Sequence, residues 1–205
     1  VLRNELASTP GEVYSTPRIA ASKRRLENTG YFGSVDILPT DTDVAEYKDV
    51  NISVTERPTG TFNFGAGFSS IDNFVGFVEV TQTNFDIGAW PNFTGGGQRF
   101  RAAARVGTER RDFILSLTEP WFMGRPLALG GESFYRDLFF LSDDYDQTNY
   151  GGSVSLRKAI GEHSNLQIKY GFENVEITTE PDVSPEIQAE EGEFLLSKIG
   201  LAWVH

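Results

Sequence analysis

From Thr61 to Ser69 the chain alternates without a break: Phe62, Phe64, Ala66 and Phe68 fall on one side, and Thr61, Asn63, Gly65, Gly67 and Ser69 on the other. A period of two marks an extended strand with two unlike faces. The same period returns downstream. A less regular strand is expected near Val75 to Phe85. In the next, Phe100, Ala102, Ala104 and Val106 oppose Arg99, Arg101, Ala103 and Arg105; then Phe113, Leu115 and Leu117 oppose Ser116 and Thr118. A fifth strand is expected over Leu127 to Asp137. A sixth sets Tyr150, Val154 and Leu156 against Ser153, Ser155 and Arg157, and a seventh sets Leu166, Ile168, Tyr170 and Phe172 against Gln167, Lys169, Gly171 and Glu173. The eighth carries Ile199, Leu201 and Trp203 opposite Lys198 and Gly200. Each is near the roughly 9 to 11 residues of a tilted membrane strand.

Residues 1–57 follow other periods. "VLRNELAST" and "PGEVYSTPRIAASKRRLENTG" predict two short helices. Ser15 or Thr16 suits the cap of the second, Pro17 its first turn, and Gly30 its left-handed end. Ile19, Ala20 and Leu26 are its expected apolar side. Two strands follow, with Val35 and Ile37 in the first and Val50, Ile52 and Val54 in the second, all expected in a small core. The segment is a nearly charge-balanced α+β unit with 7 basic and 9 acidic residues. Arg57 and Pro58 then read as a hinge into the first of about eight antiparallel strands.

Which solvent the downstream apolar face meets is not fixed by alternation, since a soluble sandwich and a membrane barrel share it. Composition sharpens the choice. The 205 residues include 21 Gly and 16 Phe, and the mean hydropathy is −0.30. No run approaches the roughly 18 to 20 apolar residues of a spanning helix, which excludes helical spans and leaves strands open. Aromatics gather near strand ends (Trp90, Phe93, Trp121, Phe122, Phe139, Phe140, Tyr145, Trp203), where a membrane interface would place them. Acids gather in expected connections: Asp137, Asp143, Asp144 and Asp146 in one, and eight acids with no base from Glu173 to Glu193 in another. Alternate connections are expected to be long and acidic or short, with "DIGAWPNFTGGGQ" out of pattern. The residues favour a barrel. The chain starts like the middle of a helix and stops like the middle of a strand, as a piece of something longer would.

With "RIAASKRRLENTGYFGSVDI", "KDVNISVTERPTGTFNFGAGFSS", "TNFDIG" and "LTEPWF" in that order, nearly the whole chain resembles the BamA family of outer-membrane β-barrel assembly factors. "RRLENTGYF" resembles the second helix and second strand of a POTRA domain, and "VTERPTGTFNFGAGFSS" the junction into the first barrel strand. The resemblance implies a mainly β protein. Residues 1–57 would be the C-terminal part of the last POTRA domain, lacking its first strand. Residues 58–205 would be the N-terminal half of a transmembrane β-barrel. It implies an outer-membrane location with a periplasmic N-terminal region, and unfolded outer-membrane proteins as clients. Accessory assembly lipoproteins and the lipid bilayer are the other implied partners, with no ATP and no covalent chemistry. The family's lumenal Arg-Gly-aromatic loop motif has no counterpart here.

Within that picture the first barrel strand, Thr61, Phe62, Asn63, Phe64, Gly65, Ala66, Gly67 and Phe68, is the expected client-strand edge, working by β-augmentation. Gly65 and Gly67 weaken a strand interior. Proline at Asn63, Gly65 or Gly67 is expected to impair assembly, and alanine to be milder. Arg99, Arg101, Arg105, Arg157 and Lys169 are expected lumen-facing charges, paired with Glu79, Glu132 and Glu173. The edge of the small N-terminal sheet is a second place for an extended client or a partner lipoprotein. Chemistry finds little purchase. The chain has no cysteine, its histidines are His163 and His205, and no nucleophile elbow, P-loop or H-E-x-x-H pattern occurs. No cofactor and no metal is expected. A net charge of −11 argues against nucleic acid, whose phosphates need clustered cations. The alternatives are a two-partner secretion transporter exporting one polypeptide, or a passive outer-membrane pore. The latter has no use for a periplasmic client-binding module.

Overall fold

Helix and strand signals separate cleanly along the chain, and so do the two units they build. The structure, a computed structural model, describes residues 2–44, 47–69, 73–142, 145–161, 164–179 and 183–204. One unit comprises residues 1–59 with 86–96, the other residues 60–85 with 97–205. Ser70, Asp143, Asp144, His163 and His205, named above, lie outside the described residues.

In the first unit, α1 (Leu2–Glu5) is a single turn and α2 (Thr16–Asn28) runs from an extended Ser15 to Gly30, whose φ is +73°. Ser15 takes the cap position, but its side chain makes no capping hydrogen bond. The inward stripe of α2 is half-buried Ile19 with buried Ser22 and Leu26; Ala20 is exposed, against expectation. At 100° per residue Ser22 lies on the line joining Ile19 and Leu26, whereas Ala20 falls off it. Ser22 stays in the core because its hydroxyl is fully used: it donates to the Arg18 carbonyl and accepts from the Ala7 N–H, both at 2.9 Å. β1 (Phe32–Asp41) and β2 (Lys48–Glu56) pair antiparallel, with Val35 opposite Val54 and Ile37 opposite Ile52. Val50, expected in the core, is 39% exposed; it sits opposite Pro39 and borders an open cavity with Ile19, Ile37 and Ile52.

The second unit is one antiparallel sheet of eight strands in chain order. They are β3 (Gly60–Ser69), β4 (Asn73–Phe85), β5 (Gln98–Gly107), β6 (Arg110–Glu119), β7 (Leu127–Ser142), β8 (Tyr145–Ile160), β9 (Ser164–Thr179) and β10 (Gly192–Val204). β3 and β10 are its edges among the described residues. Its burial is inverted. Every buried hydrophobic side chain among the described residues belongs to the first unit, while the sheet buries Asp112, Asp137 and Asn149 and exposes Phe62, Phe64, Phe68, Leu195, Ile199 and Leu201. A sheet with a water-facing exterior does the reverse.

Register shows how the apolar band crosses the sheet. The rung through Phe64 runs Val78, Ala104, Phe113, Tyr135, Tyr150, Asn174, Leu195. One step outward, the rung from Ala66 runs Gly76, Val106, Arg111, Asp137, Thr148, Glu176, Glu193, apolar on three strands and polar on the rest. The rung of Gly65, the middle of the exposed band on β3, ends at Phe194 on β10, where the band is centred about five residues on, near Ile199. With about 3.4 Å per residue and 4.8 Å per strand over seven steps this is a tilt of about 27°, somewhat less than the 35–45° of membrane barrels.

Several expectations about connections fail. β7, β8 and β9 each span 16 residues, longer than expected. Asp137 and Asp146 are strand residues, and so are Glu173, Glu176 and Glu193, leaving only residues 180–191 as the last connection, with the one-turn α3 (Pro185–Gln188) inside it. The acids sit at the outer ends of strands because the ladder bonds backbone to backbone whatever the side chain. Nor do long and short connections alternate. Residues 108–109 join β5 to β6 at the same end as residues 180–191, and residues 86–97 and 120–126 lie at the opposite end. The aromatics of the sheet unit divide likewise: Trp121, Phe122 and Trp203 at one end, Phe139 and Tyr145 at the other; Trp90 and Phe93 belong to the first unit.

Candidate strand edge and charged wall

β3 pairs with β4 over its whole length, from Gly60 opposite Gln82 to Ser69 opposite Asn73, and with no other strand among the described residues. In an antiparallel ladder one residue's N–H and C=O point to the same neighbour, and successive residues point to opposite ones. The Thr108 N–H donates to the Phe74 carbonyl at 3.2 Å, so even-numbered β4 residues address β5 and odd-numbered ones address β3. Further along, the Phe139 N–H donates to the Glu109 carbonyl at 3.0 Å, which fits the same parity carried across β5 and β6. On β3, therefore, Thr61, Asn63, Gly65 and Gly67 direct their backbone to β4. Phe62, Phe64, Ala66 and Phe68 direct theirs away from β4, to what is the sheet's edge among the described residues.

This overturns the expectation that proline at Asn63, Gly65 or Gly67 tests the edge: those positions hold β3 to β4. The two glycines also differ. A Cβ on Gly67 would meet nothing within 4 Å, whereas one on Gly65 would lie 2.8 Å from the Phe77 ring, which covers it from the opposite strand. Alanine is a neutral control at Gly67 alone. Arg57 donates its N–H to the Tyr31 carbonyl at 3.1 Å, and neither it nor Pro58 lies in a helix or strand.

The expected charges share the polar face but pair differently from the expected scheme. Arg101 binds Glu79 through Nε at 2.9 Å and Nη2 at 2.6 Å, and Lys169 lies 3.6 Å from Glu132. Arg157 donates to the Gln167 side chain at 3.1 Å, and Arg99 is exposed. Glu173 pairs with none of the five; it accepts from Lys198 Nζ at 2.7 Å and Asn149 Nδ2 at 2.9 Å. The centre of the wall is Asp112, which sequence reading missed. Its carboxylate accepts from Arg110 Nε at 2.6 Å and Arg136 Nε at 3.0 Å, with Arg105 Nη1 at 3.9 Å. Arg105, Asp112 and Arg136 stand on one rung with Gly65 and Phe77. The available signal was a lone acid after "ERR" that continues the Ser116, Thr118 face inward. Among the described residues no group of acids and histidines is set to hold a metal.

An antiparallel sheet with an oblique exposed apolar band on one face and ion pairs on the other is the wall of a transmembrane β-barrel. The Omp85 superfamily domain model matches residues 92–205, and the POTRA model, described as surface antigen variable number repeat, matches residues 1–57. The chain belongs to the Omp85 superfamily. β3 and β4 lie between the two matched ranges. The outer membrane protein assembly factor BamA of Nitratidesulfovibrio vulgaris is 25% identical over 96% of this chain and 24% of its own length. The BamA of Neisseria meningitidis is 28% identical over 87% of this chain and 22% of its own length. The chain thus spans about a quarter of these relatives. Among solved structures, BamA from Haemophilus ducreyi lacking POTRA domains 1–3 shares the fold with a TM-score of 0.71 and 23% identity, over 98% of this chain and 40% of that one. CdiB from Acinetobacter baumannii shares it with a TM-score of 0.54 and 13% identity, over 98% and 39%. The family places the sheet in the outer membrane and the POTRA-like unit in the periplasm.

Proposed function

We propose that this chain carries the client-accepting edge of an outer-membrane protein assembly factor. In this reading residues 1–57 are the C-terminal part of the last POTRA domain and residues 58–205 the N-terminal half of the barrel, joined at the Arg57–Pro58 hinge. Unfolded outer-membrane proteins are the clients, and an incoming strand adds to β3 by main-chain hydrogen bonds. The observation that supports it is the row of edge-directed backbone groups at Phe62, Phe64, Ala66 and Phe68. No covalent step is needed, since each bond formed replaces one to water or to a loosely held neighbour. The edge of the small sheet in residues 1–57 is the corresponding place for an accessory lipoprotein.

Export of a single polypeptide is the second reading, because the Omp85 superfamily match does not by itself distinguish assembly from export. Depleting the protein in its own cells separates the two. Loss of many unrelated barrels from the outer membrane supports assembly, and loss of one secreted polypeptide with the barrels intact supports export. A photo-crosslinker at Phe64 in the full-length protein should capture stalled client strands, and one at Phe113, mid-sheet, should not. Equal capture at both would remove the edge reading.

A further inference from the structure

We infer that the lumenal wall carries an oxyanion site built on Arg105, Arg110 and Arg136. A cavity of about 140 Å³ opens on the polar face beside Phe77, lined by these three arginines, Arg101 and the carboxylates of Glu79 and Asp112. Four guanidinium groups against two carboxylates leave two positive charges over. Glu79 is paired with Arg101, whose Nε and Nη2 both donate to its Oε2. Asp112, its side chain only 9% exposed, is therefore the one carboxylate left for three cations.

The geometry leaves donors to spare. Arg110 and Arg136 spend only their Nε on Asp112. Arg105, at 3.9 Å, is beyond hydrogen-bond distance of it and half-exposed. The terminal nitrogens of Arg110 and Arg136, with the whole Arg105 fork, supply several N–H groups around a cavity the size of a carboxylate or phosphate group with water. Planar forks of this kind match such oxygens bidentately. Three guanidinium groups drawn to one carboxylate also repel one another, and a second anion relieves that repulsion.

The wall as a whole points the same way. Its cations are Arg99, Arg101, Arg105, Arg110, Arg136, Arg157, Lys169 and Lys198, and its acids Glu79, Asp112, Glu132 and Glu173. The excess is four positive charges in a chain whose net charge is −11. The ligand is therefore an oxyanion presented in the aqueous lumen, either free or as a carboxylate of a polypeptide segment. The site stands on the lumenal assignment of this face and does not depend on strand addition at β3.

The test uses the full-length protein in nanodiscs of neutral lipid, titrated with inorganic phosphate and, separately, with an end-blocked tetraglutamate peptide. Arg110→Gln and Arg136→Gln should each weaken binding at least 5-fold. Arg157→Gln, at a distant place on the same wall, should leave it unchanged, and binding should fall as salt rises. Arg110→Lys, which keeps the charge and loses the fork, should fall between and serves if a glutamine variant does not fold. Binding of phosphate alone assigns a free-anion site, and binding of both ligands assigns one that polypeptide carboxylates reach. No saturable binding of either, or binding that Arg157→Gln weakens as much as Arg110→Gln and Arg136→Gln do, overturns the inference.

Discussion

Ala66→Pro and Gly67→Pro sit one residue apart and should fail in opposite ways. Ala66 directs its backbone to the free edge, and Gly67 directs its own to Val75 on β4. Proline removes one donor and fixes φ near −65°, which an edge strand tolerates where the lost N–H faces outward. At Ala66 the loss falls on the added strand. One missing hydrogen bond with its partner carbonyl left unpaired costs about 1 to 3 kcal/mol, or roughly 5- to 150-fold in client-strand affinity. The β3–β4 ladder stays intact, so the protein's own resistance to heat should be unchanged. At Gly67 the same cost falls on the protein, because the Val75 carbonyl loses its partner and the pyrrolidine ring presses on β4. The assay is client-barrel folding by the reconstituted full-length protein, read as heat-modifiable gel mobility. The protein's own unfolding temperature is measured in parallel. Ala66→Gly and Gly67→Ala control for side-chain change, the latter clean because nothing lies within 4 Å of its Cβ. Normal client folding by Ala66→Pro, or equal loss in both proline variants per folded molecule, would refute the edge assignment.

Gly65→Ala should destabilise by about 1 kcal/mol, since its Cβ meets the Phe77 ring at 2.8 Å and the ring end can swing aside; Phe77→Ala in the same chain should remove that increment in a double-mutant cycle of urea unfolding. Gly151→Ala should be far worse, about 3 kcal/mol or more, because its Cβ would overlap the Phe172 carbonyl oxygen and lie 2.9 Å from Glu173 Cα, both backbone; the measurement is the fraction of protein reaching the heat-modifiable fold. Glu12 titrates below the usual carboxylate range because the Thr9 N–H donates to it and Arg18 lies beside it. A depressed pKa contributes stability above the unfolded value that is lost as pH falls through the folded one; protection factors in residues 8–15, taken as exchange relative to the intrinsic rate at each pH, should thus fall below about pH 4.5 and show no such fall in Glu12→Gln.

The faces of the sheet were legible in the sequence because side chains alternate with a strict period, and Phe62, Phe64 and Phe68 need no tertiary information to be sorted from Gly65 and Gly67. The direction of the backbone was not. Side-chain alternation puts Thr61, Asn63, Gly65 and Gly67 together but does not say which neighbour they bond. That took one anchored hydrogen bond, Thr108 to Phe74, and the register that carries it across the sheet. Strand ends were misread for a related reason. Asp137, Asp146 and Glu176 look like loop residues, yet Asp137 is held at the outer end of β7 by the Thr148 hydroxyl at 3.0 Å. The Asp112 cluster joins residues from three strands, and only their shared rung shows that one carboxylate serves several arginines.

Parity also says how choosy the proposed edge can be. An unsatisfied N–H or C=O in hydrocarbon costs several kcal/mol, so any strand that offers backbone to Phe62, Phe64, Ala66 and Phe68 is favoured whatever its side chains. Residues directly opposite in a ladder put their side chains on the same face, and a slip of one residue moves a whole set of side chains to the other face. A client strand on β3 must therefore set apolar residues opposite Phe62, Phe64 and Phe68, and polar or small ones opposite Asn63, Gly65 and Gly67. On the polar side those two glycines offer no side chain for a client residue to meet, and Phe77 already covers Gly65 from the far strand. The edge thus selects for period two and for one face against the other, and leaves residue identity free. That is the specificity required of a surface serving many unrelated barrels, whose strands share only that alternation.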